Sequence, residues 1–531
     1  MKPTRRTFLR LAGGAAAAAS ADRLFGSVDP LAQAAARAPQ VELMTLADAA
    51  LAVARQLGAS YADIRINRYR DRTVSLLSTP GGTGNTNHVP SVLETGSFGV
   101  GVRVLHEGTW GFAASPLVTR DEISAVTGRA VSLARAHARL QSRAVRLAPT
   151  PVHVDRWSTP FVTDPFSIEI GAQLALLERV NLEIKSVRDV FSATSLCVAH
   201  AEDRFFASSE GTKVQQYVLH TYGLSTARAR DARAGVSRTR SYVPPPNAGG
   251  WENIERAAFM NEARRIGEEV VEHLTAPPVD PGEKTLVLMP GNLALTIHET
   301  IGHSTELDRA VGLEASYAGT SFLTRDRMGA FRIGSDLMHI VGDRTLEGGL
   351  ATVAYDDDGV KARAFDIVRA GQFVQFQTTR ELAAEIGQQE SMGCCQADSY
   401  SSVQFQRMPN VSLKAGAVGT TAEDLIARVD DGLLMDGRAL YSIDQQRYNF
   451  QFSADACWEI KNGKRGRMVS RAAYQGRTPD FWAGYLGSAD ERYWRKEGFP
   501  ADGKGEPPQN GMVTHACAPS LFQKVSVIRT S

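Results

Sequence analysis

The sequence predicts an α+β fold: an amino-terminal α/β-type domain, then a carboxyl-terminal domain dominated by antiparallel sheet and carrying one HExxxH helix. Three observations lead there. Before residue 115, apolar and polar residues alternate with period two in several segments, the mark of strands with unlike faces. Past Phe331, short apolar runs alternate with Gly/Asp turns, the rhythm of antiparallel sheet. A length of 531 residues exceeds what one hydrophobic core normally fills, so two or three domains are expected. Punctuation divides the chain into a signal and tail (1–40), an amino-terminal α+β domain (41–243), a linker and connecting helix (244–278) and a carboxyl-terminal domain (279–531).

Each element has its own signal. Arg5-Arg6-Thr7-Phe8-Leu9 precedes a run from Ala12 to Ala19 built only of Ala and Gly. This is the arrangement of a twin-arginine export signal, with a cleavage site at Ala32-Gln33-Ala34. It predicts a periplasmic or otherwise exported protein. No later run of about 20 apolar residues predicts a transmembrane segment after the signal. A helix is expected over 46–56, then a strand from Tyr61 to Tyr69 whose alternation suggests one face in water. Strands over 99–105 and 109–114 are joined at His106-Glu107-Gly108. The stretch 119–147, acidic in its first turn and rich in Ala, Arg and Leu, reads as helix. Pro244-Pro245-Pro246 and Gly249-Gly250 mark a linker, followed by a helix over 253–274 that stops before Pro277-Pro278. A strand over 284–289 turns at Pro290-Gly291-Asn292, with Asn292 as candidate cap, into the helix bearing His298. Further strands are expected over 339–343, 365–368, 373–376 and 450–454.

The segment from Thr296 to Asp308 concentrates the chemistry: His298, Glu299, His303, Glu306 and Asp308. Neutral imidazoles bind a borderline divalent cation, and a carboxylate beside them can take the proton of a metal-bound water. That is the inventory of a metal hydrolase. The histidines, however, stand five residues apart. On a regular helix, positions four apart diverge by about 40° and positions five apart by about 140°. Both imidazoles face one ion only if the helix is bulged between them. A single π-bulge does this, and Gly302 makes room for it. Glu306 and Asp308 suit a place behind the ligands, holding an imidazole or the helix. Asp356-Asp357-Asp358 reads as a turn between strands rather than a cation site.

The charge balance, 59 basic against 58 acidic side chains for a net +1, gives no reason to expect nucleic acid as a partner. Five cysteines (Cys197, Cys394, Cys395, Cys457, Cys517) are too few for a disulfide scaffold, and being odd in number they leave at least one thiol unpaired within the monomer.

Taken in order, HETIGHSTELDR (298–309), Gly319-Thr320-Ser321, Tyr355 to Gly359, Arg407 to Asn410, Asn449 to Phe452 and Gly503-Lys504-Gly505 resemble the TldD/PmbA metallopeptidase family. The likeness is to its metal-bearing, TldD-like subunit. Gly101 to Val104, with Trp110 to Ala113, resembles that family's amino-terminal domain. The resemblance implies a zinc-dependent metallopeptidase that hydrolyses peptide bonds in unfolded or extended peptides. It further implies one divalent metal ion, Zn²⁺, and a dimer, commonly a heterodimer with a metal-less homologous subunit. His298 and His303 match the family's histidine ligands, and Glu299 its catalytic glutamate, the general base for metal-bound water. The family's remaining ligand is a Cys in a late Cys-Gly-Lys-Gly segment; here Asp502 stands in that place. A carboxylate oxygen binds zinc at about 2.0–2.2 Å, which favours His298, His303 and Asp502 as the ligand set. Cys517 and His515 remain rival third donors. Exchanging a thiolate for a hard oxygen weakens selection for zinc over iron or manganese and removes an oxidisable ligand. Arg407 and Lys504 are candidates for contacts to a substrate carboxylate or a developing oxyanion. An open edge of the carboxyl-terminal sheet suits an extended peptide. The competing class, kept open by Asp502, is a catalytically inactive peptide-binding or assembly subunit with the same fold.

Overall fold

A computed structural model describes residues 40–81, 85–141 and 143–530, and the Arg5-Arg6 signal expected from the sequence lies outside them. Helix α1 (Gln40–Gln56) leads into β1 (Tyr61–Pro80), which pairs antiparallel along its whole length with β2 (Thr86–His106). The chain reverses at Glu107 and Gly108, both at positive φ (50° and 74°), the two-residue turn whose twist matches the strands it joins, and continues as β3 (Thr109–Ser115). There follow α2 (Arg120–Ala138), β4 (Val154–Ser158), α3 (Ile170–Lys185), β5 (Val190–Ser208), β6 (Lys213–Asp231), β7 (Val236–Tyr242), β8 (Asn247–Ala248), α4 (Glu252–Arg256) and α5 (Phe259–Thr275). The strands form one sheet in the order β3-β2-β1-β5-β6-β4, with β7 and β8 also paired to β6.

The main strands of this sheet are 19 to 21 residues long, so one sheet carries two separate cores. At one end, α1 and α2 cover Ile64, Ile66, Val100 and Val102. At the other, α3 and α5 cover Val74, Leu76, Ala193 and Ala227. Two helices differ from expectation. Helix α2 ends at Ala138 because the chain beyond it is drawn out by other bonds: Val145 N–H to the Gly108 carbonyl (2.8 Å) and Ala148 N–H to the Arg380 carbonyl (2.9 Å). The single helix expected over 253–274 is instead α4 and α5, broken at Ala257-Ala258, so that Phe259 enters the second core.

In the carboxyl-terminal half, β9 (Gly282–Leu288) lies inside a nine-stranded sheet. It pairs parallel with the strand Asp431–Asp436 and antiparallel with Ser520–Arg529, and every other pairing in that sheet is antiparallel. Helix α6 (Pro290–Ile297) follows β9 directly. Asn292 does not cap it: Met289 occupies the cap position, and the Asn292 amide donates to the Gly437 (2.9 Å) and Ser453 (3.2 Å) carbonyls while accepting from the Tyr474 hydroxyl (2.9 Å). The strand expected over 373–376 is confined to Gln372–Phe373. All five cysteines are free and buried. No helix among the described residues is long and apolar enough to cross a membrane.

The polar face of β1 is not in water as its alternation suggested. Asp63, Arg65 and Asn67 are only 1–2% exposed because the carboxyl-terminal half lies on them. Arg103 binds Asp63 and Asp358 (2.7 Å each), Arg65 approaches Asp357 (3.6 Å), and Gln404 donates to Asp63 (3.0 Å). Asp356-Asp357-Asp358 is a turn, as expected, and a buried one: Asp356 accepts the N–H groups of Asp358 and Val360. Removing one member of such a cluster strands the others in low dielectric. Arg103→Met should therefore lower the unfolding free energy by about 3–5 kcal/mol, read by urea denaturation, and adding Asp63→Asn with Asp358→Asn should recover most of it. A loss below about 1 kcal/mol, the worth of a surface pair, would show that other contacts hold the two halves together.

Candidate metal centre

Helix α6 does not continue regularly through the histidines. His298–Gly302 is a π-helical turn, closed by the His303 N–H bonding back to the His298 carbonyl, and a short 3-10 turn follows over His303–Thr305. The extra residue in the turn brings histidines five apart onto one side, as the spacing required. Their rings lie 4.5 Å apart between centroids at 76°. A Cβ at Gly302 would sit 2.5 Å from Met408 Sδ, so a larger residue at the bulge would displace the end of that side chain.

The third group comes from the strand Arg495–Lys504, paired with Gln509–Cys517 and irregular in register between Phe499 and Asp502. Such a bulge re-aims the side chain that follows it. Asp502 Oδ1 stands 3.5 Å from His298 Nε2 and 3.5 Å from His303 Nε2. Donors bound to one tetrahedral ion at about 2.0–2.2 Å stand roughly 3.3–3.5 Å apart, so this donor set fits a divalent metal. All three side chains are buried, with their ligand atoms within 4.8 Å of one another, the one such grouping found among the described residues.

What lies behind the three donors decides which atoms face inward. His515 Nδ1 bonds the Val411 carbonyl (2.8 Å), which can only accept, so that nitrogen carries the proton. Burial, with the neighbouring His298, pushes His515 well below the usual imidazole range, so its ring is neutral and its Nε2 is an acceptor. His298 Nδ1 donates to it at 2.7 Å, leaving the Nε2 lone pair of His298 toward Asp502. His303 reaches the same state through Glu306, whose Oε2 accepts from Nδ1 at 2.8 Å. Glu306 is fully buried. Burial alone would raise its carboxyl, but Lys504, His303 and Arg309 together hold it well below the usual carboxylate range. Lys504 Nζ is shared by Glu306 (2.9 Å) and Asp308 (2.7 Å). Arg407 binds the Asp502 backbone carbonyl and Oδ2 (3.0 Å), which leaves Oδ1 for the histidines. Against the burial that would raise it, the Arg407 guanidinium holds the Asp502 carboxyl well below its ordinary value.

These contacts correct several expectations. His515 is not a third donor, since both its ring nitrogens are engaged behind His298. Cys517 is fully buried with its sulfur toward the Pro290 carbonyl (3.9 Å), and burial pushes its thiol well up. Arg407 and Lys504 are buried and committed to carboxylates, so neither is placed to meet a substrate. Glu306 and Asp308 do stand behind the donors, joined by Lys504.

One neighbour had no signal in the sequence. Arg447, at φ 63° beyond the strand Tyr441–Ile443, places Nη1 2.6 Å from Glu299 Oε2 and donates through Nη2 to the Ala318 carbonyl (3.2 Å). Its segment, Gln445-Gln446-Arg447-Tyr448, carries no pattern that names a site. Only the folding of residue 447 onto a helix 148 positions earlier does so.

Comparison with known proteins agrees with this geometry. Residues 281–528 match the PmbA/TldA metallopeptidase C-terminal domain, and residues 62–134 match PmbA/TldA metallopeptidase domain 1. A metalloprotease of Methanocaldococcus jannaschii is 24% identical over 432 residues, covering 79% of this chain and 87% of that one. A zinc metalloprotease TldD homolog of Saccharolobus solfataricus is 22% identical over 428 residues, covering 80% and 88%. Among solved structures, TldE from Thermococcus kodakarensis superposes with a TM-score of 0.70 at 17% identity, covering 92% of this chain and 99% of that one, a likeness of fold. With the ordered motifs, the two matching domains and a buried His/His/Asp cluster in place, the chain belongs to the TldD/PmbA family of metallopeptidases.

Proposed function

We propose that the protein is an exported peptidase that hydrolyses backbone amides of extended peptides. The observation carrying this reading is the convergence of two imidazole nitrogens and Asp502 Oδ1 one residue from Glu299. His298, His303 and Asp502 would hold one divalent ion, and two imidazoles with one carboxylate and an open fourth position is a donor set typical of catalytic zinc. The Saccharolobus solfataricus relative is named as a zinc enzyme, which favours the same metal here. When bound, the ion supplies Lewis acidity toward water and the scissile carbonyl. Glu299 takes the proton of the attacking water and returns it to the leaving amine, while Arg447 holds one of its carboxylate oxygens in place. Tyr441, 57% exposed, feels the Glu299 charge, which with partial burial raises its phenol, and its O–H is the donor we assign to the developing oxyanion.

The strand bearing Tyr441 also suggests how a peptide is held. Tyr441–Ile443 is an edge of the nine-stranded sheet. Ser453 N–H bonds the Leu440 carbonyl and Asp444 N–H bonds the Asn449 carbonyl, so by alternation the backbone groups of Tyr441 and Ile443 point away from the sheet. An extended peptide added there bonds mainly through its backbone, which favours broad sequence tolerance. Arg5-Arg6-Thr7-Phe8-Leu9 supports export to the periplasm, and the likeness to TldE supports work as a dimer with a homologous chain.

The metal and the base are separable by experiment. Glu299→Gln should lower kcat by roughly a thousandfold while metal content, read by elemental analysis, stays near that of the wild type. Asp502→Ala should lose the metal and Asp502→Cys should keep it; equal loading in all three would place the third ligand elsewhere. Fully metallated wild type that binds peptides without cleaving them would leave the inactive peptide-binding subunit as the better reading. On the edge strand, Tyr441→Phe should lower kcat by roughly a hundredfold, and Ile443→Pro should raise KM by roughly three- to tenfold; unchanged kinetics in both would move the peptide to another surface. Cell fractionation tests the address: Arg5→Lys with Arg6→Lys should trap the protein in the cytoplasm, and undiminished export of that variant would refute the twin-arginine route.

A further inference from the structure

Between the β2–β3 hairpin and the carboxyl-terminal half lies a cavity of about 570 Å³ that the reaction above does not use. Asp308 lines it, and the chain Asp308–Lys504–Glu306–His303 connects its wall to the metal cluster. Its charge is lopsided. Asp308 is answered by Lys504 and Asp358 by Arg103, but three further lining carboxylates, Glu314, Glu381 and Glu506, form no ion pair among the described residues. Glu314 accepts the Gly505 N–H (3.3 Å) and Glu381 the Trp110 indole N–H (2.9 Å), both neutral donors.

A second observation is independent of charge. Gln404 and Gln406 line the same cavity, 3% and 1% exposed, and the Oε1 atom of each has no donor. A buried acceptor left unpaired costs about 1–3 kcal/mol, so two of them beside unpaired acids suit a ligand rich in N–H groups. The acids do not converge as ion ligands do, since the metal-type grouping among the described residues is the His/His/Asp cluster. An extended organic cation fits better than a metal ion. The rim is apolar, with Leu313, Tyr317 and Val403 66%, 47% and 44% exposed, which suits the aliphatic stem of such a cation.

On the peptidase reading, on which this rests, we propose that the cavity is the subsite for a basic side chain of the peptide, arginine above all. Its guanidinium donates to the Gln404 and Gln406 oxygens and pairs with Glu314 and Glu381. The chain links the cavity wall to the cluster. Gln406 adjoins Arg407, which holds Asp502, and Gly505 follows Asp502 by three residues, roughly 10 Å of strand. A side chain roughly two to four residues from the scissile bond of an extended peptide spans that gap.

Two measurements test this. Agmatine titrated into the full-length, metal-stripped protein and followed by calorimetry should bind, more weakly at high salt. Glu314→Gln should weaken that binding by roughly fivefold or more, with Glu381→Gln as the second variant if the first does not fold. Fluorogenic peptides that carry arginine or citrulline, its uncharged isostere, at each position in turn should show at one position a KM roughly tenfold lower for arginine. In the Glu314 or Glu381 variant that ratio should fall toward one. Absent agmatine binding together with equal KM at every position overturns the subsite and leaves the peptidase reading intact. Glu314-dependent agmatine binding in a protein that cleaves no peptide overturns the substrate assignment through failure of the peptidase reading itself.

Discussion

Buried donors can share one centre only when the atoms facing away from it are already bonded, because an unmet polar atom in low dielectric would otherwise turn or take up a proton. Here the Val411 carbonyl sets the tautomer of His515, His515 sets that of His298, Glu306 sets that of His303, and Arg407 takes the outer oxygen of Asp502. These partners come from distant chain positions; His298 and His515 alone stand 217 residues apart. The nine-stranded sheet, the 495–517 hairpin and the strand Asn410–Leu413 are the means by which they meet. The π-turn adds the local condition, since without the extra residue one imidazole would leave the cluster.

The same physics runs through the rest of the interior. Lys504 is fully buried and serves two carboxylates, and Arg103 serves two more, Asp63 in its own sheet and Asp358 across the boundary between the halves. Such groups add little net stability over apolar residues of equal volume, but each becomes costly when its partner is removed. They therefore hold a relative position more than they drive folding, which the separate apolar cores at the two ends of the first sheet and beneath α6 provide. One consequence is that the His/His/Asp cluster and the interface between the halves both depend on paired charges, and the acidic cavity lies where the two meet.

Much of the fold was legible because its signals are local. The alternation in β1, the Glu107-Gly108 reversal and the apolar run of β9 each act over a few residues, and each appears near where the sequence places it, although β1 runs on to Pro80, past the end expected at Tyr69. The places where reading failed have one cause. Helix α2 stops early, the helix over 253–274 breaks, Asn292 is not a cap and the polar face of β1 is not wet, all because a remote segment supplies bonds or cover that propensity cannot register.

By itself, then, the sequence determined the residue types of the site and their local geometry: two imidazoles whose five-residue spacing demands a bulged turn, a glutamate beside the first, and an aspartate late in the chain. Tertiary structure alone decided which of Asp502, Cys517 and His515 faces the histidines, which nitrogen of each ring is free, and that Arg447 reaches Glu299. The division follows from range. Helical phase and turn preference act between neighbours in sequence, whereas the direction of a lone pair is set by whatever the fold brings to the far side of the ring.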